Sequence, residues 1–188
     1  MRQWNLKIMS NLKEKYYKKI IPEMIKKFGY KTPMAVPRVL KIVVNSGIGR
    51  IKDNKDAILS IEKHLGLITG QKPSSRGAKK AISSFKTRQG QVVGFKVTLH
   101  GNKMYDFIER VVNLAIPRTR DFRGISNHSV DAGGNLTFGV KEHIVFGEIM
   151  GEDVKNIFGL EITVVTNAKT KAEALEFFKL LGFPLQNV

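Results

Sequence analysis

The stretch from Lys63 to Tyr105 contains no aspartate or glutamate, and this gap in negative charge constrains the fold more than any other feature. Like charges repel one another in a compact state and raise its free energy. The fold must therefore hold these cations at its surface without acidic partners from the same stretch. The basic residues concerned are Lys63, Lys72, Arg76, Lys79, Lys80, Lys86, Arg88, Lys96 and Lys103.

Within this stretch, residues 83–101 (SSFKTRQGQVVGFKVTLHG) alternate apolar with basic or polar side chains. The pattern predicts a β-hairpin that turns near residues 89–91. Its second strand would bury Phe95, Val97 and Leu99, because successive side chains of a strand point to opposite faces. The other face of the hairpin would present Lys86, Arg88, Lys96, Thr98 and His100.

The composition favours a polyanionic partner for this basic face. The 188 residues include 32 lysines and arginines against 16 acids, a formal net charge of +16. A solvated strand face is the alternative, but such faces normally mix charges of both signs. Nucleic acid is therefore the leading candidate partner, and an anionic membrane surface is the next.

The remaining apolar periodicities predict a single α+β domain with a mainly antiparallel sheet and helices packed on one face. Strands are expected at residues 38–45, 136–140 and 160–166, and residues 1–10 are read as an N-terminal extension. The predicted apolar helix stripes are Met9, Leu12 and Tyr16; Ile21, Met24, Ile25 and Phe28; Ile58, Ile61, Leu65 and Ile68; and Met104, Phe107, Ile108, Val111 and Ala115.

Helix boundaries follow from capping residues and breakers. Pro22 suits the first turn of a second helix better than the interior of one long helix. Three later helices are predicted from their end residues. The first begins at Asp53 and ends at Gly70, and the second begins at Asn102 and ends at Pro117. The third begins with a capping box of Thr170 and Glu173 and ends at Gly182.

Two loops carry further positive charge. Residues 71–80 (QKPSSRGAKK) read either as a mobile, solvated connection or as an arm that becomes ordered on a phosphate backbone. Residues 117–124 (PRTRDFRG) place Arg118, Arg120 and Arg123 around Asp121. These arginines could grip RNA, grip an acidic protein patch, or clasp Asp121 internally.

Signals for catalysis and metal binding are poor. The four histidines fall in different elements without a helical i, i+4 pair, cysteine is absent, and no nucleophile motif occurs, so no cofactor and no metal are expected. The lack of cysteine fits a reducing compartment, and the lack of an apolar run or secretory signal favours a cytoplasmic protein without a membrane partner.

Seven stretches, in order along the chain, resemble the family of the large-subunit ribosomal protein L5, which binds 5S rRNA. They cover most of the chain from about Tyr16 to Pro184. They are VPRVLKIVVNSGIG (36–49), TGQKP (69–73), FKTRQG (85–90), GFKVTLHG (94–101), IPRTRDFRGIS (116–126), GGNLTFGVKEHIVFGEI (133–149) and GLEITVVTNAKT (159–170).

The resemblance implies an antiparallel sheet with helices on one side and a place in the central protuberance, beside large-subunit rRNA and neighbouring large-subunit proteins. The implied 5S rRNA surface comprises Asn45, Thr69, Gln71, Lys86, Arg88, Lys96 and His100, where His100 replaces a common arginine. The implied loop toward peptidyl-site transfer RNA (tRNA) comprises Lys72, Ser74, Ser75, Arg76, Lys79 and Lys80. The implied intersubunit bridge to a small-subunit head protein draws on Arg118, Arg120, Arg123 and the loop near 131–135.

Three other classes of protein remain open from the residues alone. A DNA-architectural protein would bind duplex DNA as well as it binds folded RNA. An RNA-processing enzyme would need a catalytic constellation that the sequence does not show. A peripheral membrane protein would use the basic helix near residues 7–19.

Overall fold

A computed structural model describes residues 11–49, 51, 54–152, 154 and 156–186. The strands are β1 Val39–Gly47, β2 Ser74–Gly77, β3 Val92–Leu99, β4 Leu136–Val140 and β5 Leu160–Thr166. The α-helices are α1 Asn11–Lys15, α2 Ile21–Phe28, α3 Lys55–Thr69, α4 Gly101–Arg110, α5 Ile116–Arg118 and α6 Lys171–Leu181. Short 3₁₀ turns lie at Pro33–Ala35, Ser83–Phe85, Asn127–Ser129, His143–Val145 and Gly147–Ile149.

The five strands form one antiparallel sheet in the order β2-β3-β1-β5-β4, which confirms the predicted α+β class. Burial alternates along the strands as their sequences predict. In β5, Leu160, Ile162 and Val164 are buried while Glu161 is exposed. The predicted bounds of β4 and β5 are correct, and β1 lies one to two residues beyond its prediction.

Two prolines are accommodated by wide helical turns. A π-helical segment, Tyr16–Ile20, joins α1 to α2, and another, Val111–Ala115, joins α4 to α5. Pro22 lies in the first turn of α2, as predicted, but α2 follows α1 without a break, because Ile20 has helical φ and ψ of −68° and −46°. The prediction of a separate second helix is therefore wrong, and so is the prediction that Pro117 stops its helix, because helix continues to Arg118. Proline lacks an amide hydrogen and its ring clashes with the carbonyl four residues earlier, so a wider turn just before it relieves both problems.

Glycine and threonine caps occur where the sequence predicts them. Gly70 and Gly182 end α3 and α6 with φ of 64° and 102°, a left-handed conformation that suits glycine. The Thr170 side chain accepts a hydrogen bond from the Glu173 amide, and the Glu173 carboxylate accepts one from the Lys169 amide. Together they close the first turn of α6.

Two predicted N-caps are not the caps that the structure has. Asp53 lies outside the described residues, and α3 is capped by Asn54, whose side chain accepts a hydrogen bond from the Ala57 amide at 3.1 Å. Asn102 lies inside α4, which begins at Gly101 after His100. The side-chain oxygen of Asn102 instead accepts a hydrogen bond from the Lys13 ammonium group at 3.0 Å.

The chain divides into two compact units, each with its own core. The described residues of the first unit are 11–42, 99–138 and 163–186. Tyr16 is buried there against Phe177 and donates its hydroxyl to the Pro37 carbonyl, and burial raises the pKa of Tyr16 to about 12. That the whole chain is a single domain stays a prediction.

The described residues of the second unit are 43–49, 51, 54–98, 139–152, 154 and 156–162. Its core contains the predicted α3 stripe, of which Ile61, Leu65 and Ile68 are fully buried and Ile58 is half-buried. Phe95 and Val97 of β3 are buried in this core, and Leu99, which belongs to the first unit, is buried as well, as the alternation predicts.

Two histidines that lie far apart in sequence are stacked in the core of the second unit. His143 lies on Phe158 with ring centroids 3.9 Å apart, and His64 lies 5.2 Å from His143 on a nearly parallel plane. Burial lowers the pKa of His143 to about 4 and also lowers the pKa of His64. Both rings therefore sit in this stack in their neutral form near pH 7.

Replacing Gly94 with alanine should destabilise the protein. A Cβ at this position of β3 would lie 2.9 Å from the Ser46 carbonyl oxygen of β1, a backbone atom that cannot move aside. We expect a loss of roughly 1–3 kcal/mol in the free energy of unfolding, measured by urea denaturation. Gly47→Ala is the matched control, because its Cβ would meet no atom of the described residues within 4 Å. Equal effects of the two substitutions would contradict the predicted clash.

The histidine stack should make stability depend on pH. An unfolded histidine titrates near 6.5 and folded His143 near 4, so between these values the unfolded state binds more protons. The contribution of neutral His143 to the free energy of unfolding is complete above about pH 6.5. It is lost as the pH falls toward 4, and the loss is on the order of 1–3 kcal/mol. His143→Gln should flatten the profile measured by denaturation at several pH values, whereas His128→Gln, at an exposed position, should leave it unchanged.

Candidate nucleic-acid interface

The predicted hairpin is wrong in its first strand. β3 pairs with β2, with Ser74 opposite Lys96 and Arg76 opposite Gly94, and not with residues 83–88. Residues 83–88 are too tightly curved for a strand, since Ser83–Phe85 form a 3₁₀ turn and Lys86 has a φ of 47°. Lys86 and Arg88 are therefore exposed on a curved segment beside the sheet edge.

Residues 71–80, predicted to be a loop, instead contain the edge strand of the sheet. β2 occupies one end of the strand order, so one side of it is unpaired. All six residues of the predicted tRNA-facing loop are exposed: Lys72, Ser74, Ser75, Arg76, Lys79 and Lys80. Past β2 the chain stays anchored, because the Ala78 amide donates to the Gln91 carbonyl and the Gly90 amide donates to the Ala78 carbonyl.

Hydrogen bonds position the polar residues at the end of α3. The Thr69 hydroxyl lies 2.7 Å from the Leu65 carbonyl oxygen and 3.0 Å from that of Gln71, and Thr69 is only 2% exposed. The Gln71 side chain is exposed and donates to the Thr98 carbonyl at 3.2 Å. Thr69 is thus placed to orient Gln71, and its own contact with RNA stays a prediction.

Asn45 and Lys96 are presented by neighbouring strands. Asn45 is exposed between the buried Val44 and Ser46 of β1, and the Ser46 hydroxyl donates to the Gly159 carbonyl at 3.0 Å. Lys96 is half-buried on β3, on the face opposite Phe95. Asn45 adds a polar amide to a surface that otherwise carries cations.

Most cations between Lys72 and Lys96 make no ion pair with a described residue. In the described part of the chain, the ion pairs are Lys18–Glu14, Lys27–Glu176 and Lys63–Glu152. The following cations therefore make no ion pair with any described residue: Lys72, Arg76, Lys79, Lys80, Arg88 and Lys96. We call these six residues, with Lys86, the cationic surface.

The predicted bridge residues belong to the first unit, as does His100. Arg118, Arg120 and Arg123 are exposed at and after the end of α5. Among the described residues, neither Arg120 nor Arg123 pairs with Asp121, so the internal clasp is not formed by these two arginines. Asp121 itself has a φ of 53°.

The loop 131–135 is closed by one carboxylate. Asp131 accepts hydrogen bonds from the Asn135 amide at 2.7 Å and from the Asn135 side chain at 2.9 Å. These bonds, the backbone one first, lower the pKa of Asp131. The carboxylate thus serves to shape the loop.

An apolar cavity beside the cationic surface has no counterpart in the sequence predictions. It measures about 1070 Å³ and lies within the second unit. The only sequence signal is that Ile82 and Phe85 interrupt an otherwise polar and basic segment. Within the described residues, no cluster of histidines and acids suitable for a metal ion occurs, and no helix is long and apolar enough to span a membrane.

Comparison with known proteins finds two matching family models along the chain. The family described as Ribosomal protein L5 matches residues 32–88, and the model for the C-terminus of the same ribosomal family matches residues 92–185. Relatives called large ribosomal subunit protein uL5 include that of Dictyoglomus turgidum, 49% identical over 95% of this chain and 99% of the relative. Those of Alkaliphilus oremlandii and Fervidobacterium nodosum are 47% and 48% identical over 94% and 93% of this chain, and 98% and 95% of theirs.

The fold and the cationic surface together define a class of protein, a basic α+β protein whose surface charge suits a structured polyanion. The chain belongs to the ribosomal protein L5 family. As a member of this family it is a structural component of the ribosome and not an enzyme.

Hydrogen exchange should show that residues 74–91 are ordered without RNA. The amides of Ala78 and Gly90 both donate to backbone carbonyls, so we expect them to exchange much more slowly than the amides of Lys79 and Lys80. The measurement is amide exchange by NMR on the isolated protein. Equally fast exchange of all four amides would contradict this order and would favour the prediction that residues 71–80 are mobile in the absence of RNA.

Proposed function

We propose that this protein is a constituent of the large ribosomal subunit that binds 5S rRNA and helps attach it in the central protuberance. The observation that carries the proposal is the cationic surface, where six cations have no ion pair in the described part of the chain. Keeping seven like charges within residues 72–96 costs free energy in the isolated protein. Phosphate groups of a bound RNA would offset that cost.

The chemistry of the surface suits folded RNA. A-form RNA has a deep, narrow major groove that excludes side chains, so proteins recognise its shape, its phosphates and its 2′-hydroxyl groups. Lysines and arginines would neutralise phosphates, whereas the amides of Asn45 and Gln71 would make directional hydrogen bonds. The bond from Gln71 to the Thr98 carbonyl fixes the side chain before RNA arrives.

Two further contacts are part of the proposal. The exposed basic residues from Lys72 to Lys80 would reach the tRNA in the peptidyl site, as the family resemblance implies. Arg118, Arg120 and Arg123, with the loop 131–135 closed by Asp131, would form a bridge to a small-subunit head protein. Arginine suits the bridge because its planar group pairs with carboxylates through two parallel hydrogen bonds.

Binding of 5S rRNA should depend steeply on salt. If about six phosphates are neutralised, the logarithm of the binding constant should fall with the logarithm of salt concentration at a slope near −5. Arg88→Gln with Lys96→Gln should reduce the slope by about 2, since each lost phosphate contact removes about 1. Filter binding or fluorescence anisotropy across a salt series measures both slopes.

The control variant is Lys26→Gln with Lys31→Gln, which removes the same charge from exposed positions of the first unit. Its slope should equal that of the unmodified protein. A nearly flat salt dependence, or equal slopes for the two variants, would contradict the proposal. Competition by duplex DNA as effective as that by 5S rRNA would favour the DNA-architectural alternative.

A further inference from the structure

The cavity of about 1070 Å³ in the second unit combines an apolar interior with a basic mouth. Gly47, Ile48, Gly49 and Ile51 line one part of it, while Ile82, Phe85 and Thr87 line another. Lys79 and Lys80 also line the cavity, and no acidic side chain among the described residues does. Its ligand should therefore have a flat or apolar part and a negative charge.

Three large apolar side chains of this cavity are exposed to solvent. Phe85 is 69% exposed, Ile157 61% and Ile82 45%. Clustered exposed apolar side chains with polar neighbours mark interaction sites, because burying them in a complex removes apolar surface from water. The 3₁₀ turn Ser83–Phe85 and the left-handed Lys86 behind it hold the Phe85 ring in this exposed position.

The charges around the cavity decide between a nucleotide and a peptide. Lys79 and Lys80 are exposed, and their backbone amides donate no hydrogen bond to an acceptor in the described part of the chain. Arg76 and Lys72 continue the positive charge along the β2 edge. A row of cations that leads to an exposed aromatic ring suits a nucleic-acid strand, whose phosphates follow the cations while a base stacks on the ring.

We infer that this cavity binds one unpaired nucleobase of an RNA strand, stacked on Phe85, with its flanking phosphates on Lys79 and Lys80. The inference deepens the proposed function, because it rests on RNA being the ligand of the second unit. It adds a contact through a base face to a surface that otherwise recognises phosphates and shape.

The first experiment tests for stacking on residue 85. It compares a minimal single-stranded probe, hexa-adenylate RNA, with a six-base-pair RNA duplex. The only tryptophan is Trp4, so a Trp4→Phe, Phe85→Trp protein reports from position 85 alone. Hexa-adenylate should quench its fluorescence, and the duplex should not, because its bases are already stacked. Equal quenching by both RNAs, or none by either, would overturn the inference.

The second experiment compares affinities for hexa-adenylate by fluorescence anisotropy. Phe85→Leu keeps an apolar side chain but removes the ring, and it should weaken binding about tenfold, within the range known for loss of one stacked base. Phe122→Leu, at another exposed aromatic position, is the control and should bind as the unmodified protein does. Because Phe85 is exposed, both variants should melt as the unmodified protein does. Unchanged affinity of folded Phe85→Leu would overturn the inference.

The third experiment uses intact large ribosomal subunits that contain this protein. Ultraviolet crosslinking and mass spectrometry should find a nucleotide attached to the peptide that carries Phe85. A crosslink from this peptide to another protein would overturn the inference in favour of a peptide ligand. The two claims can fail separately. If the protein does not bind 5S rRNA but hexa-adenylate still binds Phe85→Leu more weakly than Phe122→Leu, the proposed function is contradicted and the inference about the cavity stands.

Discussion

Repulsion among the residues of the cationic surface, six of which make no ion pair with a described residue, is the interaction on which the rest of the account depends. The second unit buries an ordinary apolar core through α3 and β3, and that core holds the charged segments in place whether or not an anion is present. Other cations do have acidic partners, as in Lys27–Glu176 of the first unit and Lys63–Glu152 of the second, with charged atoms 2.7 Å and 2.6 Å apart. The contrast between these pairs and the cationic surface is the reason for placing the proposed RNA contact in residues 72–96.

The sequence predicts regular elements well where burial has one clear period. β4 and β5 follow from strict alternation, and the Thr170 cap follows from local side-chain chemistry. The false hairpin arose because residues 83–88 also alternate. Which segment pairs with β3 depends on the tertiary packing of the sheet and not on the local sequence. The short, polar β2 pairs with β3 although its sequence has no strong strand propensity.

The predicted helix boundaries were wrong where more than one residue could accept the hydrogen bonds of the first backbone amides, or where the helix could adapt to a proline. Asn54 adjoins Asp53 and has the same capping chemistry, so the one-residue choice lay beyond sequence reasoning. Pro117 was expected to break its helix, but a π-helical segment makes room for the ring. The stacking of His64 on His143 could not be predicted either, since the two lie 79 positions apart in the sequence and only the tertiary fold brings them together. The residues of the cationic surface were predictable because charge is visible in sequence, whereas the cavity beside Phe85 depends on how three loops meet.

The most direct measurement is the fraction of large ribosomal subunits that retain a charge-reversed protein after sucrose-gradient sedimentation. In one variant, Lys86, Arg88 and Lys96 become glutamate; in its control, the exposed Lys26, Lys31 and Lys179 do. Both change the net charge equally, and circular dichroism verifies that both fold. The account predicts that the first variant is absent from the subunits and the second is retained. Equal retention of the two would contradict the claim that the cationic surface exists to bind ribosomal RNA.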